Sequence, residues 1–153
     1  KIEAYDISHF GGKDRVGVMT VIENGEIKKS DYRKFKIKND FEKANDTLDL
    51  KEVLDRRFTH EEWRLSDVVV VDGGKAQLNV VEKILKDLKL NKIKAVGVVK
   101  GEFHKPVRLI GDAETIKKYE SDILLANAES HRFAISFQKS KRGLLKEKDP
   151  YSR

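Results

Sequence analysis

The sequence predicts an α/β domain: a mixed sheet of five strands, three antiparallel and then parallel additions, with helices on both faces. Three observations carry this. The opening residues are rich in β-formers and are cut by turn signals at 11-GGKD-14 and at Asn24-Gly25. The run 68-VVVV-71 has no polar alternation, the mark of a strand covered on both faces. Between it and a second apolar run, 93-IKAVGVV-99, lies a stretch of helical period, so the three segments form a βαβ unit with a right-handed crossover.

In chain order, residues 2–8 and 15–22 are predicted strands joined as a hairpin, the second rich in Val16, Val18, Thr20, Val21 and Ile22. Asn24-Gly25 leads into a third strand over Glu26 to Lys38. There Tyr32, Phe35 and Ile37 are interleaved with six basic side chains. From Leu48 to Phe58 the apolar residues Leu50, Val53, Leu54 and Phe58 fall at helical spacing. Asp67 to Asp72 is the buried strand, and Leu78, Val81, Ile84, Leu85 and Leu88 define the following helix. The stretch 100-KGEFHKPVRLIGD-112 is expected to form a small edge hairpin, Ala113 to Tyr119 a short helical turn, and Ile123 to Phe137 the closing helix. This succession is the layout of the RNase H-like fold, in which the first strand lies beside the fourth and their ends meet at the centre of the sheet.

With 153 residues the chain suits one globular domain, expected over residues 1–145 with a flexible tail at 146–153. It starts inside a strand, Lys1 to Ile7, as expected of a fragment of something larger. The absence of cysteine excludes disulfides and thiolate metal sites. No signal peptide or long apolar run is present, so a soluble, cytoplasmic protein is expected. Lys and Arg number 32 against 26 Asp and Glu, a net charge of +6 that suits a polyanionic partner.

Among the motifs, 72-DGGK-75 fails as a phosphate loop. Its glycines are adjacent, and Ala76 stands where a Ser or Thr is needed. Asp72 keeps two readings, a metal ligand at the end of a central strand and an N-cap of the helix that starts near Lys75. Asp6 is a second acid in an apolar strand, on the pleat face of Ile2 and Ala4. It could instead bond the turn at Ser8 to Gly12. A buried lone carboxylate costs several kcal/mol unless paired, protonated or metal-bound, so two of them at adjacent strand ends are best explained by a shared cation. His131 follows Leu124 and Ala128 and precedes Ile135 at helical spacing, which puts it on the stripe expected to face the sheet. There it is either a core histidine or a group that ligates a metal or moves a proton.

Five co-linear blocks, 4-AYDISHFGG-12, 31-DYRKFKI-37, 54-LDRRF-58, 70-VVDGGKAQL-78 and 130-SHRFAIS-136, together resemble the C-terminal endonuclease domain of UvrC. UvrC is the incision subunit of nucleotide excision repair. The resemblance implies an RNase H-like nuclease that cuts the damaged strand on the 5′ side of a lesion, with Asp6, Asp72 and His131 as its triad. It implies Mg²⁺, with Mn²⁺ as substitute, held by Asp6 and Asp72. A further family acid falls on Asp46, which an N-cap role also fits. Lys75 and Gln77 match residues placed to touch a phosphate or support the carboxylates. With Arg33, Arg132, Lys139 and Arg142 they form the expected contacts to damaged double-stranded DNA. The family's Arg-Asp-Glu before the histidine segment is reduced here to Glu129 in 127-NAE-129. Nothing in the chain resembles the family's other regions, so its UvrB-type damage-recognition partner is expected to dock elsewhere. Two other classes stay open: a non-catalytic nucleic-acid or protein-binding module of the same fold, and an endonuclease V-like nuclease.

Overall fold

A computed structural model describes residues 1–10, 14–38, 46–101 and 107–143, the side chains of residues 10, 14 and 137–143 excepted. Its strands are β1 (Ile2–Phe10), β2 (Asp14–Glu23), β3 (Glu26–Ile27), β4 (Arg33–Lys36), β5 (Val68–Asp72), β6 (Lys94–Val99) and β7 (Arg108–Gly111). The helices are α1 (Asp46–Phe58), α2 (Lys75–Asp87) and α3 (Ala113–Gly143). The sheet order is β3-β2-β1-β5-β6-β7, with β4 also paired to β2. β1 is antiparallel to β2 and parallel to β5, and β5 is parallel to β6. The first strand therefore lies beside the valine-rich strand, as the RNase H-like layout requires.

The expected count of five strands is corrected to seven. The third strand is broken, because Lys28-Lys29-Ser30-Asp31 offers no apolar side chain to bury and the chain leaves the ladder in a 3₁₀ turn at Lys29–Asp31. Two pieces, β3 and β4, result, and both pair with β2. The second addition is β7, antiparallel to β6, so the far edge of the sheet is not parallel. Of the expected hairpin over 100–112 only this strand is described; residues 102–106, the turn at 11–13 and the tail at 146–153 lie outside the described residues. The turn at Asn24-Gly25 forms as read, with φ of 52° and 79° at the two positions.

Each face of the sheet carries its own core. On one, Tyr5, Val69 and Val71 meet Leu50, Val53 and Leu54 of α1 and Leu78, Val81 and Leu85 of α2. On the other, Ile2, Ala4, Val68, Val70, Val96 and Val98 meet Ile123 and Ala126 of α3. Strand alternation sorts the two sets, and the all-valine β5 supplies both.

Two helical expectations change. The short turn at 113–119 and the closing helix are one element, α3, kinked at Tyr119 with φ −120° and ψ 21°. The stripe of α3 that faces the sheet is Ile123, Ala126, Ser130 and Ala134, all buried, whereas Leu124, Ala128 and His131 are exposed. Small side chains decide this rotation. They let the helix backbone approach closely enough for Ser8 and Thr20 hydroxyls to donate to the carbonyls of Ala134 and Ala126. No described helix is long and apolar enough to cross a membrane.

Candidate active site

The site lies where β1 and β5 part. Their pairing runs from Ile2 opposite Val68 to Tyr5 opposite Val71, so the next residues along, Asp6 and Asp72, stand side by side; Asp72 ends β5, whereas Asp6, expected at a strand end, lies in the middle of β1. Both continue the face of Ala4 and Val70, which α3 covers. β1 runs on through Ile7, Ser8 and His9, paired among the described residues with β2 alone. This one-sided extension forms the wall of a cavity of about 300 Å³ lined by Asp6, Asp72, His131, His9, Asp46 and Gln77 among others.

Asp6 Oδ1 accepts the backbone N–H of Ile7 at 2.9 Å, and its Oδ2 lies 3.5 Å from Nδ1 of His131. Burial first, and then the charge of Asp72, push the Asp6 carboxyl above its usual range; the Ile7 N–H and His131 pull the other way. Half of the His131 side chain is exposed, against 13% for Asp6, so the imidazole leans over the carboxylate from the rim. Its place beside the buried stripe rather than on it keeps the ring open to the cavity.

Asp72 does not cap α2. Gly74 is the N-cap, and its N–H donates to Gln77 Oε1 at 3.0 Å, so the amide of Gln77 closes the first turn from within. That leaves the Asp72 carboxylate aimed into the cavity, with Lys100 Nζ 3.9 Å away. Gly73 has φ 150°, and a Cβ there would meet the Gln77 side chain at 2.6 Å. Gly73 is thus required for the sharp exit from β5 that carries Asp72, whereas Gly74 has an ordinary φ of −96°. Among the described residues Asp6 accepts from the backbone of the next residue, Ile7; the turn at 11–13, its other expected partner, lies outside them.

Asp46, the first residue of α1, faces His9 with Oδ1 3.4 Å from Nε2. Behind it, Asp49 is buried against Arg15 of β2 at 3.1 Å; burial raises the Asp49 carboxyl and the guanidinium partly offsets that. Lys75 is exposed in the first turn of α2. Arg33 donates to the carbonyls of Ser30 and Tyr32 and lies over the Trp63 ring at 4.9 Å. Arg132 is held by both carboxylate oxygens of Glu129 at 2.7 and 3.0 Å. The side chains of Lys139 and Arg142 are outside the described residues.

Three features escaped sequence reasoning. The Glu3 carboxylate is fully buried and held by Arg57 at 2.8 and 2.7 Å and by the Tyr5 hydroxyl at 2.6 Å. An acid at the start of an apolar strand, with the arginine pair of 54-LDRRF-58 downstream, was the available signal. Tyr32 donates to Glu129 at 2.7 Å, tying the chain before β4 to the turn of α3 that carries His131. Burial and the Glu129 carboxylate raise the Tyr32 hydroxyl far above its ordinary range, so it remains a donor. His9 sits in the same block as Asp6 but on the opposite pleat face.

Among the described residues no group of three or more His, Asp or Glu could by itself hold a metal ion. The donors that fit one are the two neighbouring carboxylates: their mutual repulsion in a partly dry cavity is the charge imbalance that a divalent cation relieves. A pair of carboxylates leaves further positions on such an ion for water and phosphate oxygens.

A family model of the UvrC RNase H endonuclease domain matches residues 1–141. The chain belongs to this family. UvrABC system protein C of Caldicellulosiruptor saccharolyticus is 39% identical over 149 residues, covering 93% of this chain and 25% of that protein. The namesake of Clostridium beijerinckii is 38% identical over 165 residues, with 93% and 26% covered. This UvrC-family domain thus spans about a quarter of the length of these relatives. Among solved structures, human ENDOV aligns over 78% of this chain and 52% of its own, with 16% identity and a TM-score of 0.44.

Proposed function

We propose that this domain is the divalent-metal-dependent endodeoxyribonuclease that makes the 5′ incision at damaged DNA in nucleotide excision repair. The observation that carries the proposal is the pair Asp6 and Asp72, far apart in sequence, side by side where β5 ends against the middle of β1, with His131 on the first of them. Asp6 and Asp72 would hold the cation, Mg²⁺ with Mn²⁺ as substitute, because carboxylate oxygens suit those ions. When bound, it supplies Lewis-acid charge that offsets the negative charge building on the scissile phosphate.

The chain's own residues do the rest. His131, backed by Asp6, moves a proton at one of the reacting oxygens from the α3 side of the cavity. The Asp46 carboxylate orients groups on the α1 side. Gln77 fixes the turn that aims Asp72, and Lys75 reaches for a phosphate beside it. Along the sheet, Asp6, Val18 and Lys34 are consecutive partners across β1, β2 and β4, so Lys34 shares the face of Asp6 two strands away, about 10 Å. Lys36 follows on the same face, opposite Val16 and Ser8. With Arg132 these residues would give a sequence-independent track for the backbone, as a nuclease directed by lesions rather than bases requires, whereas Arg33 lies over Trp63 on the other face of β4; Lys139 and Arg142 stay expected contacts whose side chains are outside the described residues. Recognition of damage and the UvrA and UvrB partners belong to the rest of the protein.

The test is incision of a damaged duplex in Mg²⁺ by the full-length protein together with its damage-recognition partners. Asp6→Ala and Asp72→Ala each abolish the 5′ cut while DNA binding persists. Normal cutting by both variants would sink the proposal.

A further inference from the structure

Resting on that reading, we propose that His9 is a second proton-transfer residue of the cleavage, acting from the opposite side of β1 to His131. The two imidazoles are placed by strand geometry. Successive side chains of β1 alternate between faces, so Asp6 projects toward α3, where it meets His131 at 3.5 Å, and His9 projects toward α1, where it meets Asp46 at 3.4 Å. Both pairs line the same cavity, as does Asp72 at the end of β5. His9 exposes 41% of its side chain, enough to touch a bound phosphodiester.

A phosphodiester displaced in line has its attacking and leaving oxygens on opposite sides of phosphorus. One imidazole reaches only one of them. A site with one carboxylate-backed imidazole on each side can serve both oxygens, one as base and the other as acid. The charged groups around His9 are Asp46 and Asp49 from α1, Arg15 opposite it on β2, and Asp6 on its own strand. Arg15 and Asp49 are paired to each other, and Asp46 is the carboxylate that faces the ring at 3.4 Å.

The experiment uses the full-length protein with its damage-recognition partners and single-turnover 5′ incision across pH 5.5–9. His9→Gln is expected to incise about 10²-fold more slowly, with damaged-duplex binding within twofold of wild type and one limb of the pH–rate profile flattened. In His9→Ala, added imidazole restores part of the lost rate. Asp46→Asn retains the His9 limb at a reduced rate, as loss of orientation predicts. A His9→Gln rate and pH profile matching wild type would overturn the proposal, as would a loss wholly accounted for by weaker DNA binding. If Asp6→Ala and Asp72→Ala also cut normally, the nuclease reading itself falls; if they are dead and His9→Gln is not, only the role of His9 falls.

Discussion

Replacing Arg57 by methionine should destabilise the domain by about 3–5 kcal/mol, the usual cost of stranding one partner of a buried ion pair. The structure sets that magnitude. Glu3 and Arg57 side chains are 0% and 1% exposed, joined by two hydrogen bonds of 2.8 and 2.7 Å, so no water can replace the guanidinium. The stranded carboxylate would keep the Tyr5 hydroxyl at 2.6 Å and Lys1 Nζ at 3.4 Å, which places the cost below the full desolvation penalty of a buried charge. Arg57 also donates to the Arg64 carbonyl at 3.0 Å, a bond lost with it. For a domain of this size each kcal/mol moves the melting temperature by roughly 2–4 °C, so Arg57→Met should melt about 10 °C lower. The assay is a thermal double-mutant cycle with Glu3→Met. The double variant should recover most of the loss, since replacing both charges with apolar groups of like volume is often neutral. Additive losses, or an Arg57→Met within 1 kcal/mol of wild type, would refute this account.

Three further outcomes follow from the site. Because burial and Asp72 raise the folded-state Asp6 carboxyl above its unfolded value, the folded state binds that proton more readily; stability therefore falls as pH rises through the raised range. Asp6→Asn should thus raise the melting temperature in EDTA at pH 7.5 and lose its advantage near pH 3, and Mg²⁺ should stabilise wild type but not the variant; a melt unchanged at both pH values contradicts the repulsion. Gly97→Ala puts a Cβ 2.8 Å from the Gly73 carbonyl and 3.0 Å from Ile110, so about 1–3 kcal/mol of destabilisation is expected, with incision falling further than binding because Gly73 follows Asp72. Tyr32→Phe removes the bond to Glu129 and should cost about 1.5 kcal/mol by thermal melt, with slower incision as the turn bearing His131 loosens.

The strands were legible because their signals are local: alternation, an Asn-Gly turn and an all-valine strand each depend on a few neighbouring residues. Their order in the sheet came from the RNase H-like layout that this succession matches, and that layout puts β1 beside β5. The juxtaposition of Asp6 and Asp72 follows from that order alone. What the sequence hid depends on rotation and on interruptions. The phase of α3 could not be read from apolar residues, since Ala126, Ser130 and Ala134 are chosen for size and let the helix close on the sheet, while Leu124 is left outside. The expected place of His131 on the buried stripe is corrected, since it reaches Asp6 from the flank of that stripe. The break in the third strand hid because interleaved lysines and aromatics continue on either side of Lys29–Asp31. Glu3 and Arg57 hid because a buried charge looks like a surface one until its partner, 54 residues on, is in place.

One strand organises both stability and chemistry, at opposite ends. β1 is nine residues long and β5 five, so β5 pairs with it only as far as Tyr5. At the paired end, Ile2 and Ala4 bury in one core, Tyr5 in the other, and Glu3 locks α1 through Arg57. Beyond Tyr5 the strand has, among the described residues, a neighbour on one side only, and there Asp6 and His9 turn to opposite faces of the strand while lining one cavity. Repelling carboxylates are tolerated at that end because the well-packed half fixes the strand whether or not they are charged. This division predicts that substitutions at Asp6, His9 and Asp72 will leave the fold intact, whereas those at Glu3 and Arg57 will be felt first in stability and only through it in catalysis.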